Sequence, residues 1–148
     1  TKEIKTEMID IFIPGKPIGK GRPRVCRNVT YTPKPTKDYE KLVRQCYIAK
    51  YADKQPIPAK IPLKVSIIAN YPITQSMPKK QVKIIENGGA FTVRPTKKPD
   101  ADNISKIILD ALNGLAYYDD NQVVTLRIDK CYAKDESQVG VYVKIDEI

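Results

Sequence analysis

The amino-acid sequence predicts a single α+β domain spanning residues 1–148, with a mixed β-sheet and helices packed on one side. Three observations lead there. The chain has 148 residues, 41% hydrophobic and 29% charged, which is one domain's worth of ordinary globular composition. A core of that length buries roughly 70% of the unfolded chain's surface and needs no disulfide to hold it. Apolar positions alternate in some stretches and recur at helical spacing in others, in the order β-α-β-(α)-β?-α-β-β.

Residues 7–14 (EMIDIFIP) alternate in part before a proline and predict a first strand. Residues 15–36 read as a long basic loop punctuated by Gly19, Gly21, Pro17, Pro23, Pro33 and Pro35. Loops of that length are usually functional or disordered. Tyr39, Leu42, Val43, Cys46 and Tyr47 recur at helical spacing, so a helix is expected over about 37–53, with Thr36 as its cap. A proline-rich link at 55–62 precedes LKVSIIANYP, a β-branched run that reads as a buried strand. A short helix is expected at 79–86, closed by Asn87-Gly88-Gly89, with a brief extended piece at 90–93.

The strongest helical pattern starts at Asp102. Ile104, Ile107, Ile108, Ala111, Leu112 and Leu115 form one apolar stripe, and Asn113-Gly114 can end the helix. Two strands, at about 122–133 and 138–145, complete the order around a turn at 134–137.

Several function classes are disfavoured. No apolar run approaches the ~20 residues needed to cross a bilayer. The opening TKEIKTEMIDIFI, without an initiator Met, reads as a trimmed start and not as a signal peptide. Cys26, Cys46 and Cys131 are odd in number and widely spaced, and the chain has no histidine, so a Cys/His zinc site is not expected. The cysteines instead fit free thiols in a reducing cytoplasm. Without imidazole, acid–base or metal chemistry falls to carboxylates, lysine, tyrosine or water.

A formal net charge of +9 points to a polyanionic partner. Between Lys16 and Lys37 lie Lys16, Lys20, Arg22, Arg24, Arg27, Lys34 and Lys37, with no acidic residue among them. The prolines forbid one continuous amphipathic helix, so nucleic acid is expected and a membrane is not.

Against this basic background, Asp100 and Asp102 stand just before the strong helix, and Asp119 and Asp120 follow it. Lys106 lies four residues after Asp102, on the helix's polar side. Carboxylates of this kind suit Mg²⁺, a hard ion that takes oxygen ligands, and a bound ion can activate water and orient a phosphodiester. Lys106 would add positive charge near the reacting phosphorus. Each feature also has a plain structural reading: Asp102 as a helix cap, Asp119-Asp120-Asn121 as a solvated turn, Lys106 with Asp110 as a surface pair. A helix of this length separates its ends by about 15 Å. The gap must be closed by the returning chain or by a partner subunit.

Taken together, KKPDADNISKIILDALNGLAYYDDNQV at residues 97–123 resembles the signature region of RusA-family crossover-junction endodeoxyribonucleases. The resemblance rests on Asp-x-Asp-Asn, a lysine four residues on, a helix containing Asp-Ala-Leu, and an aromatic followed by Asp-Asp-x-Gln-Val. The strand and basic loop at 11–24 and YTPKPTKDYEKLV are similar in style. The resemblance implies a RusA-like α+β fold, a bacterial or phage (often prophage) origin, a homodimer, and Mg²⁺-dependent cutting of four-way DNA junctions in recombination and repair. It implies Asp100, Asp102 and Asp120 as catalytic, metal-associated aspartates, Lys106 as the catalytic lysine and Asp119 as an accessory acid. Family members can carry a run of arginines before the first aspartate, where this chain has Lys97-Lys98-Pro99. Lys16, Lys20, Arg22, Arg24, Arg27, Lys97 and Lys98 are the expected DNA-backbone contacts. No small-molecule cofactor is expected. The alternative is a branched-DNA-binding protein that keeps the fold without cutting; a nucleotide-sugar enzyme using Asp-x-Asp would need a nucleotide-binding domain for which the chain has little room.

Overall fold

A computed structural model describes residues 8–148. The first expected strand appears as β1 (Met8–Pro14); the Glu7 end of that expectation lies outside the described residues. The remaining elements are β2 (Arg24–Cys26), β3 (Val29–Tyr31), α1 (Lys34–Tyr51), β4 (Leu63–Tyr71), α2 (Lys79–Glu86), α3 (Ala101–Leu112), β5 (Val123–Tyr132) and β6 (Gly140–Glu147).

The main sheet has the order β1-β6-β4-β5. β6 pairs antiparallel with both β1 and β4, whereas β4 and β5 run parallel. A parallel pair needs a crossover connection, and the long stretch containing α2 and α3 provides it. Period-2 alternation puts Ile9, Ile11, Ile13, Leu63, Val65, Ile67, Ala69, Tyr71, Val141, Val143 and Ile145 on one buried face. Tyr39, Val43 and Tyr47 of α1 and the Ile104, Ile107, Ile108, Ala111 and Leu112 stripe of α3 cover that face as one core. The fold is therefore the expected mixed sheet with helices on one side. α2 is peripheral: only its Ile85 is buried, away from that core.

The structure departs from the sequence reading in three places. α1 begins at Lys34, because a proline in a helix's first turn removes only an N–H that has no intrahelical partner. Thr36 is consequently not a cap; it is buried inside the helix, and its Oγ1 accepts from Gly21 N at 3.0 Å. A Cβ on Gly21 would lie 2.7 Å from that hydroxyl, so the contact requires glycine. The basic stretch is not a plain loop but contains the β2–β3 hairpin, turning at Arg27 and Asn28 with φ of 51° and 65°. Residues 90–93 form turns, not an extended piece.

The two sheet edges differ. On β1, Tyr51 Oη donates to and accepts from the Asp10 backbone, and Lys50 Nζ binds Asp10 O at 2.9 Å. β5 carries its outer edge bare, with Val124 63% and Leu126 45% exposed. Among the described residues no helix is long and apolar enough to cross a membrane.

Candidate active site

α3 supplies both the core stripe and the chemistry. Asp100 is its N-cap, with φ −71° and ψ 151°, yet its carboxylate makes no capping hydrogen bond. Asp102 sits in the first turn, Lys106 one turn on and Asp110 one turn further, along the outward side of the helix. Favourable placement of a carboxylate near the positive helix end holds for Asp102.

The chain then doubles back. Gly114 (φ 78°) reverses direction, Tyr117 is buried, and Tyr117 Oη donates to Leu109 O at 2.7 Å. Ile57 N donates to Ala116 O and Tyr118 N to Ile57 O, fixing the returning segment on the proline-rich link. A single 3-10 turn, Asp120–Gln122, follows. Asp119 caps it: its carboxylate accepts from Asn121 N, and Gln122 Oε1 accepts from Asp119 N at 2.9 Å. Gln122 is buried, and its amide donates to Pro58 O at 2.8 Å and Ile61 O at 3.1 Å. Asp119 thus has a structural task, and Asp120 is the carboxylate left facing the helix.

Asp102, Ser105, Lys106, Asp110, Asp120 and Leu126 line one concavity of about 520 Å³. Burial, and then the adjacent Asp119 and Asp110 carboxylates, push the Asp120 carboxyl above the ordinary aspartate range, with Lys106 pulling the other way. Asp110 lies 3.8 Å from Lys106 Nζ and 3.2 Å from Lys20 Nζ.

Asp100 faces a second, adjoining groove lined by Lys16, Lys20, Arg22, Lys98 and Asn103. The strap before it is held by Tyr71, whose Oη donates to Pro99 O at 2.8 Å; burial and the Asp100 charge raise that phenol to about 12, so it remains the donor. Lys130 Nζ donates to Lys97 O, and the Lys97 ammonium lies 5.7 Å from the Tyr132 ring centre. The peptide bond between Lys98 and Pro99 is cis.

The expected meeting of three aspartates is therefore only partly present. Asp102 and Asp120 share a concavity, while Asp100 opens on the neighbouring groove. Among the described residues no three acidic side chains gather closely enough to hold one ion. The reason is local: Asp100 precedes the helix, its backbone is extended, and its side chain leaves the helical row on which Asp102 and Lys106 lie. Of the expected DNA contacts, Lys16, Arg22 and Lys98 line the groove beside Asp100. Lys20 is turned inward instead, 19% exposed, 2.7 Å from Glu40 Oε1 as well as beside Asp110. Its charge is neutralised within the protein. Arg24 belongs to the exposed hairpin and Arg27 to its turn.

An acid-lined concavity beside a basic groove, mounted on a mixed sheet with its helices on one side, is the arrangement of a nucleic-acid-processing protein. The chain belongs to the RusA endodeoxyribonuclease family, whose family model matches residues 14–146. It is also similar to the uncharacterized protein YqaN of Bacillus subtilis (strain 168), with 32% identity over 141 residues, covering 93% of this chain and 96% of the relative.

Proposed function

We propose that the protein is a Mg²⁺-dependent, structure-selective endodeoxyribonuclease that hydrolyses phosphodiesters at four-way DNA junctions, acting as a cytoplasmic homodimer in recombination and repair. The observation that carries this reading is the shared concavity of Asp102, Lys106 and Asp120, adjoined by the basic groove around Asp100. Family membership supplies the nuclease class.

The donor set suits the ion. Mg²⁺ is usually held by one or two carboxylates, with waters and substrate phosphates completing its shell, and Asp102 and Asp120 offer two such carboxylates. Asp100 would join from the groove side. When bound, the ion supplies an activated water and charge stabilisation at the phosphate. Lys16, Arg22 and Lys98 hold the DNA backbone in the groove, and the Lys106 ammonium faces the charge that builds on the phosphate oxygens. Two equivalent strands are cut in a junction, and a two-fold dimer presents two equivalent sites. The bare β5 edge, with exposed Val124 and Leu126, supplies a surface suited to a second copy.

The test is nicking of a synthetic four-way junction and of a linear duplex of the same sequence, with and without Mg²⁺. The expected result is paired nicks in the junction alone, only with Mg²⁺. In Asp100→Asn, binding should persist and cleavage should be lost. A parent protein that leaves the junction intact in Mg²⁺ would overturn the enzymatic reading. Junction binding without product would favour the second reading, a branched-DNA-binding protein, which the absence of a three-carboxylate cluster among the described residues supports. Sedimentation of the protein as a monomer at micromolar concentration would remove the homodimer.

A further inference from the structure

The β2–β3 ribbon has features that folding does not require. It pairs with no strand of the main sheet, and every residue of both its strands is exposed. Its register sets Arg24 opposite Tyr31 and Cys26 opposite Val29, so these four share one face; Val25 and Thr30 share the other. Val25 is 70%, Val29 63% and Tyr31 43% exposed. A lone two-stranded hairpin is marginal in water, and apolar side chains on both of its faces gain nothing from a core they never reach.

The root of this ribbon is nevertheless fixed beside the site. Lys20 N donates to Asn103 O at 2.9 Å, and Gly21 N donates to Thr36. Gly19 is packed so closely that a Cβ there would lie 2.8 Å from Pro99 Cβ. The ribbon is thus a firmly rooted arm next to Asp100. Its charge defines the occupant: Arg22, Arg24 and Arg27 lie on or beside it, and no acidic residue occurs between Lys16 and Lys37. Such a surface is complementary to a nucleic acid.

In a linear duplex every base pair is stacked on both sides. The pairs that border a branch point have lost a neighbour and present a flat apolar face. We infer that the Arg24–Tyr31–Val29 face of the ribbon packs against the base faces exposed at a DNA branch point, and so distinguishes branched from linear DNA. This rests on the proposed function and adds its selectivity element. Stacking on an aromatic ring is tolerant of sequence, because every base offers a π face, and apolar wedges at base steps are an established means of engaging distorted DNA.

The test uses the full chain and a junction carrying 2-aminopurine beside the branch point, with the same strand in a linear duplex as control. With the parent protein, 2-aminopurine fluorescence should rise on the junction and stay level on the duplex. The double variant Val29→Thr, Tyr31→Ala should lose that rise and bind the junction about 10-fold more weakly, with duplex affinity within about 2-fold of the parent. Tyr31→Phe, which keeps the ring, should behave as the parent. Equal weakening on junction and duplex, or no change on either, overturns the inference. An unchanged unfolding midpoint checks the variant's fold; if the double variant unfolds, Tyr31→Ala alone carries the same comparison. Junction nicking by the parent separates the two proposals. A parent that nicks junctions while the variant keeps the fluorescence rise defeats the ribbon's role and leaves the nuclease standing; a parent that neither binds nor cuts junctions defeats both.

Discussion

Two acidic doublets flank α3, and the fold treats them differently. Asp119-Asp120 is divided into a structural member and a free one: Asp119 caps the 3-10 turn, and its neighbour lines the concavity. Asp100 and Asp102 are both left without a capping bond, but they face different hollows. Adjacent aspartates in a sequence therefore do not share a role by default. Their tasks are decided by whether a nearby backbone N–H claims the carboxylate. The comparison can be broken at each member.

The largest effect is expected at the two carboxylates that share a concavity. Asp102→Asn and Asp120→Asn should each lower junction cleavage by about 100-fold to 1,000-fold, with junction affinity nearly unchanged in a gel-shift titration. A variant that retains most of its rate would remove that residue from the site. Lys106→Ala comes next, with a loss of about 100-fold in cleavage rate expected and a small loss in binding, since Lys106 already neighbours Asp110.

Asp119→Ala should act through the fold instead. Loss of the cap is expected to cost about 1 kcal/mol, read as a drop of about 4 °C in the unfolding midpoint. Asp100→Ala, which removes no capping bond, should leave the midpoint unchanged; equal midpoint losses for the two would erase the distinction between the doublets. The smallest effect sharpens the contrast with an acid fully engaged in ion pairs. Asp129 is held below the ordinary aspartate range by Arg127 and Arg94. A depressed carboxyl stabilises above its unfolded-state value and loses that contribution as pH falls through the folded one. Asp129→Asn should thus unfold slightly earlier than the parent at neutral pH, and the gap should close as pH drops below the ordinary value of about 3.9.

Much of this was legible in the chain. β1, β4, α2, α3, β5 and β6 follow from period and punctuation, because each carries its own pattern over many residues. The start of α1 was displaced because Pro35 reads as a break, although a first-turn proline costs a helix nothing. The hairpin was hidden among prolines and lacks the usual Asn-Gly turn; Asn28, which tolerates a left-handed backbone, was its one local signal. At the site, the pairing of Asp102 with Asp120 depends on the buried Tyr117 and Gln122, whose partners lie far away in sequence. Asp110 belongs to the same concavity and was visible only as Lys106's helical neighbour. Its place eight residues after Asp102, on the same outward row, was the available clue. Nothing local could disclose that Lys20 turns inward or that Tyr71 holds Pro99, since both contacts are purely tertiary.

The stripe of α3 is covered along its whole length, so the helix cannot roll about its own axis without opening a void. The directions in which its outward residues point are thereby inherited from oily packing on the opposite side. A descendant that abandoned cutting would keep the same silhouette, and the loss would show only in the two or three side chains that look away from the interior.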